Sequence, residues 1–218
     1  MKLKVLLSIL TIGAVLFSSN TLTAQSITPN TFILQPYIGA PNMKKWIYDT
    51  EYQEGNKSSG FGHVGLSGEL TVSERFGIGF DAIYSPFSRE SVETISKYDP
   101  DTDTYTTHNE VRAFDEDKLR LIAKVYIHFN VENPKWDIYI SGGVGANIIF
   151  AKAYIDGVET DYQSAFVNNT SVPFYNPPFP FSGRFCFGTR YFFSDHFGVN
   201  FEAGVGGPPF SFGLNVRF

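Results

Sequence analysis

The sequence predicts an all-β protein, an eight-stranded antiparallel up-and-down barrel that crosses a membrane with its strands. Three observations carry this expectation. Apolar and polar residues alternate with period two through eight windows, and no window after residue 24 repeats its apolar positions at helical spacing. The connections between these windows alternate between short and long. Aromatic residues on the apolar face bracket each short turn. Only 18% of the 218 residues are charged, while Phe (22), Tyr (12) and Gly (20) are abundant. That composition excludes a helical membrane bundle, which needs several apolar runs of about 20 residues, and a disordered acidic chain.

The first element is not part of the fold. Lys2 and Lys4 precede the apolar run Val5 to Phe17, and a polar stretch follows to Ala24. This is the pattern of a secretory signal peptide over 1–24, with the barrel domain expected over 25–218. Without Lys2 and Lys4 the chain has 15 basic and 22 acidic residues, a net charge of −7. No basic cluster could neutralise a run of phosphates, so nucleic acid is not an expected partner. Cys186 is the single cysteine, so no internal disulfide can form.

Strands are predicted at about 31–39, 60–72, 76–86, 118–129, 136–154, 179–193, 197–206 and 210–218. One face of each is greasy, as in Phe76, Ile78, Phe80, Ala82 and Tyr84, or Leu119, Leu121, Ala123, Val125, Ile127 and Phe129. The other face carries small and polar residues, such as Lys124 and His128. Periodicity does not say which face points inward. A soluble lipocalin-type barrel would line its cavity with the greasy face, whereas a membrane barrel turns it outward. Loop lengths favour the second. The turns at 73–75, 130–135 and 194–196 are tight, and 40–59, 87–117 and 155–178 are long. These tight turns fall at one rim and the long connections at the other, where only the last, Gly207-Pro208-Pro209, is brief, as expected for short periplasmic turns opposite long extracellular loops. Phe76, Phe129, Trp136, Phe193, Phe197 and Phe218 would form an aromatic girdle at that rim.

With these patterns in hand, the sequence resembles the small bacterial outer-membrane β-barrel proteins of the OmpA- or OmpX-like eight-stranded class. The resemblance rests on the signal peptide, the stretches Ser73 to Phe80 and Ser194 to Gly206, and the ending Phe212-Gly213-Leu214-Asn215-Val216-Arg217-Phe218. It implies Sec-type export, integral residence in the outer membrane and contact with its lipid and lipopolysaccharide. It also implies that the last strand, ending on Phe218, is read by the barrel-assembly machinery.

Eight strands enclose only enough space for their own side chains, so an open porin is not expected. The inward set should instead form a salt-bridged polar core from Glu69, Asp81, Arg120, Lys124, Arg184, Arg190 and Glu202, joined by Asp137 and Arg217. Its functional alternative is a narrow or gated channel. In 87–117, Asp99, Asp101, Asp103 and Glu110 stand at positions one, three, five and twelve of a calcium loop. Position six is Thr104 rather than glycine, and the flanks look strand-like, so the segment reads better as a solvated acidic hairpin tip. No metal or other cofactor is expected. The histidines lie on separate elements without a serine and carboxylate arranged for catalysis, which leaves a lipid-modifying enzyme as a third reading. The favoured role is non-enzymatic, in envelope structure or in contact with an extracellular protein or glycan through the aromatic-rich long loops.

Overall fold

The computed structural model describes residues 27–50, 57–100, 103–129, 131, 133–160 and 180–218; the expected signal peptide lies outside them. In chain order the elements are β1 (Phe32–Ala40), α1 (Met43–Thr50), β2 (Lys57–Ser59), β3 (His63–Ser73), β4 (Phe76–Asp99) and β5 (Thr104–Phe129). β6 (Trp136–Ile155), β7 (Val158–Thr160), β8 (Phe181–Phe192), β9 (Phe197–Val205) and β10 (Phe210–Arg217) follow. Eight of these strands close a barrel in the order β4, β3, β1, β10, β9, β8, β6, β5, with β5 pairing back onto β4. All its pairings are antiparallel. The seam between first and last strands is sealed at the rim. There the Phe32 N–H donates to the Phe218 carbonyl at 3.2 Å and the Phe218 N–H to the Phe32 carbonyl at 2.9 Å. Closure leaves the sheet without a free edge, which hydrocarbon surroundings demand.

The barrel is inside out relative to a soluble protein. Val144, Phe150, Phe181, Phe185, Val205 and Ile38 are among its most exposed apolar residues. Gln35, Glu69, Asp81, Lys124, Asp137, Arg190, Glu202 and Asn215 are fully or nearly fully buried. The greasy face therefore points outward, as the loop lengths required. Within the described residues no helix is long and apolar enough to cross a membrane.

Besides the short strands β2 and β7, which lie in segments expected as long connections, two elements differ from the sequence expectation. The segment 87–117, expected as a long connection with strand-like flanks at Ser91 to Tyr98 and Thr104 to Ala113, is strand over nearly its whole length, because β4 and β5 stay in register from Pro86↔Asp117 to Asp99↔Thr104. Its alternation is polar on both faces, so a count of apolar residues misses it. The rungs are held instead by cross-strand pairs: Val92 opposite Val111, the Thr94 hydroxyl on Asn109 at 2.9 Å, and the Tyr98 and Tyr105 rings 5.2 Å apart. The second difference is α1. Its 8 residues are fewer than a periodicity window needs. The Trp46 N–H donates to the Asn42 carbonyl at 2.9 Å, and Lys45 pairs with Asp49 at 2.6 Å.

Glycines on the inner wall make room for large polar rings. A Cβ at Gly65 would overlap the Tyr37 ring on the neighbouring strand, whose hydroxyl donates to Asp81 at 2.7 Å. Gly65→Val is therefore expected to cost about 1–3 kcal/mol through overpacking. A lowered urea midpoint in detergent would show it, and an unchanged midpoint would mean that the Tyr37 ring is free to move.

Candidate functional site

The inward positions of eight strands converge on two charged layers inside the tube. Nearer the short-turn rim, Glu69 of β3, His128 of β5, Asp137 of β6 and Arg190 of β8 meet. Arg190 donates from Nη2 to Glu69 at 2.5 Å and to Gln35 at 3.1 Å, and from Nη1 to Asp137 at 2.9 Å. Its guanidinium also lies over the Tyr139 ring, 4.2 Å from the centroid. His128 contacts Asp137 through Nδ1 at 2.8 Å and Glu69 through Nε2 at 2.6 Å. Two carboxylate acceptors on one imidazole call for a proton on both nitrogens, so the ring is this layer's second cation, beside Arg190. Gln35 in turn donates to Asn215 at 2.9 Å across the β1–β10 seam.

The second layer sits farther in. Arg184 of β8 donates to Asp81 of β4 and to Glu202 of β9, both at 2.9 Å. Lys124 of β5 lies 3.3 Å from Glu202 and 3.6 Å from Asp81. Tyr37 donates to Asp81, Tyr139 donates to Glu202 at 2.9 Å, and the Tyr126 and Ser67 hydroxyls share a bond at 2.8 Å. Across both layers the four carboxylates Glu69, Asp81, Asp137 and Glu202 face Lys124, Arg184, Arg190 and the imidazolium of His128. That balance is what burial of charge demands.

Some of these bonds run along the wall between neighbouring strands, as Arg190 to Asp137 and Arg184 to Glu202 do, and others cross the lumen. In the barrel's strand order β3 and β8 stand on opposite sides, and Glu69 and Arg190 join them. Lys124 with Glu202, and Arg184 with Asp81, likewise tie strands three places apart. The tube is thus braced from wall to wall by paired charges.

Most of the expected network is assembled, with two corrections. Arg120 is not in it: its guanidinium donates to the Gly206 carbonyl at 2.8 Å at the long-loop mouth. Arg217 lies at the other end, donating to the Asp195 carbonyl at 2.6 Å over the Phe192 ring. The parity of the strands placed Arg120 and Arg217 on the inner face correctly, but their depth leaves them above and below the carboxylates. Tyr37, Tyr126, Tyr139, Gln35 and Asn215 complete the core. Tyr126 and Tyr139 share parity with Lys124 and Asp137, and that parity is the signal that could have found them.

The girdle residues Phe76, Phe129, Trp136, Phe193 and Phe218 are exposed on the outer wall beside the short turns, while Phe197 is half-buried. Phe32 and Phe218 stand 6.3 Å apart, and Trp136 has Tyr191 at 5.1 Å. The calcium ligand set does not assemble from its described members. The Asp103 carboxylate accepts the Tyr98 hydroxyl at 2.8 Å. Glu110 takes Arg112 at 2.8 Å and stands opposite Glu93, well down the strand from the Asp99↔Thr104 end. Asp101 and the side chain of Asp99 lie outside the described residues. Among the described residues no three His, Cys, Asp or Glu side chains come together as metal ligands. Cys186 is buried and its Sγ accepts the Arg184 Nε–H at 3.0 Å.

No protein-family model and no curated protein matches the sequence. Solved structures with a similar course of chain are small barrels. The outer membrane protein OprG from Pseudomonas aeruginosa is 11% identical, with a TM-score of 0.44, over 90% of this chain and 99% of that one. Ail, the attachment invasion locus protein of Yersinia pestis, is 9% identical, with a TM-score of 0.45, over 88% of this chain and 100% of that one. The N-terminal β-barrel domain of Pseudomonas aeruginosa OprF is also 9% identical, with a TM-score of 0.40, over the same shares.

Proposed function

We propose that the protein is a non-enzymatic, integral outer-membrane barrel that braces itself with a charged core and holds a long β-hairpin outside the cell to contact a protein or glycan. The observation that carries this reading is the length of the β4–β5 hairpin. The lipid-facing residues of β4 end near Tyr84, yet the two strands continue to Asp99 and Thr104. From Val92↔Val111 onward, eight rungs extend beyond β2 and β6, about 27 Å of ribbon at the ordinary rise per residue.

A free two-stranded ribbon is marginally stable, and this one is braced at its base. Lys44 of α1 pairs with the buried Glu116 at 2.5 Å, the Tyr48 ring meets Phe87 edge-on at 6.2 Å, and Arg89 lies over the rings of both Tyr48 and Phe114. Such bracing gives a rigid display element, which lowers the ordering cost of binding. The cross-lumen ion pairs weigh against a conducting path. Contact with lipopolysaccharide along the outer belt and delivery through the barrel-assembly machinery by the strand ending at Phe218 belong to the same reading.

Topology and role can be tested together. A cysteine at Thr107, exposed on the ribbon, should react with a membrane-impermeant maleimide on intact cells; labelling only after the envelope is permeabilised would overturn the orientation. Joining Ser91 to Arg112 through Asn-Gly should leave a barrel whose gel mobility still changes on boiling. Cells displaying it should lose the binding to extracellular proteins or glycans shown by the full chain. Equal binding by both would end the contact reading.

A further inference from the structure

The mouth of the barrel on the hairpin side carries positive charge that the core does not neutralise. Lys118 and Arg120 of β5 both face inward, opposite Ser85 and Ile83 of β4. Both are half-buried, and neither has a carboxylate within ion-pair distance among the described residues. The neighbouring acids are engaged elsewhere. Glu116 is held by Lys44, Asp117 accepts the Tyr84 hydroxyl at 2.7 Å on the outer face, and Asp81 lies below with Arg184 and Lys124. His63 closes the third side. It is 5% exposed, its Nδ1 contacts Ser85 Oγ at 2.5 Å, its buried Nε2 makes no side-chain hydrogen bond among the described residues, and the Pro41 backbone also bears on the ring. The charges bearing on this ring are Arg120 and Arg184, both cationic. Among the described residues, the inner wall of this mouth thus carries an excess of cations and N–H donors in a chain of net charge −5.

From this juxtaposition we infer that Lys118, Arg120 and His63 form an anion-binding vestibule above the core, fitted to a phosphate-bearing ligand. Arg120 supplies a planar fork of donors of which one is spent on Gly206, and Lys118 supplies a mobile ammonium. His63 adds an N–H when its Nδ1 accepts from Ser85. The phosphate comes either from a solute entering between the loops or from a lipid headgroup leaning over the rim. The site is independent of the hairpin's contact role, because it needs only the barrel and its mouth.

The probe is inorganic pyrophosphate, titrated by calorimetry into the full chain folded in dodecyl maltoside. Binding in the submillimolar range is expected, and Arg120→Gln and Lys118→Gln should each weaken it roughly tenfold or more. Arg75→Gln, at the opposite rim, should leave it unchanged. Because neither mouth cation pairs with a carboxylate, both variants should keep the boiling-dependent gel mobility of a folded barrel. Equal affinity in nanodiscs with and without lipid A assigns the site to a soluble phosphate; affinity abolished by lipid A assigns the same cations to the headgroup. No heat up to about 10 mM pyrophosphate, or binding unaffected by both mouth variants, overturns the vestibule.

Discussion

Arg190→Ala is expected to destabilise the barrel by about 3–5 kcal/mol, the cost of leaving buried charges without their partner. Arg190 is 0% exposed and, among the described residues, is the one cation that bonds Glu69, Asp137 and Gln35 together. Without it, two buried carboxylates share a single imidazolium, and the Tyr139 ring loses the guanidinium stacked on its face. The loss should be read from denaturant unfolding in detergent, followed by the fluorescence of Trp136, which stands beside Tyr191 on the adjoining strand. Combining Arg190→Ala with Glu69→Gln should cost clearly less than the two single losses added, because the second change removes the charge that the first strands. A drop below about 1 kcal/mol for Arg190→Ala, or strict additivity of the pair, would show that water reaches these carboxylates and that the core is not sealed.

The residues behind this prediction were legible in the sequence because a strand has only two faces. Once Lys124 and His128 are assigned inward, Tyr126 and Arg120 must follow, and once Arg184 is inward so is Arg190. Which inward residues touch is a different matter. It depends on stagger around the barrel, which brings Arg184 level with Asp81 but leaves Arg120 above both. Stagger is set by pairing register, and no single strand carries that information. The hairpin was only half legible for another reason. Its polar alternation, from Arg89 and Glu93 to Glu110 and Arg112, resembles that of a solvated loop unless each residue is matched with its partner across the ribbon. α1 was illegible because eight residues hold barely two turns of pattern, and the contacts that fix it, Lys44 on Glu116 and Tyr48 on Phe87, come from a distant part of the chain.

A charge on the outer wall should cost stability in proportion to its depth. Val125→Arg, midway along the lipid-facing run of β5, is expected to lose about 2–4 kcal/mol in a bilayer, whereas Val72→Arg, beside the short turn after β3, should lose only about 0–1 kcal/mol. Both valines are comparably exposed on the outer wall, at 47% and 52%, so the two substitutions differ in depth and little else. Hydrocarbon cannot solvate a guanidinium, while at the rim the side chain can reach the headgroups and water. In water neither change should exceed about 0.5 kcal/mol, since exposed surface positions tolerate charge. The neighbouring Lys124 sharpens the contrast. Facing inward, it lies 3.3 Å from Glu202 and stabilises the core with the kind of charge that one residue further along the same strand would disrupt the fold. Unfolding titrations of both variants in lipid vesicles measure this depth profile, and equal small losses at the two sites would place the wall in water rather than in lipid.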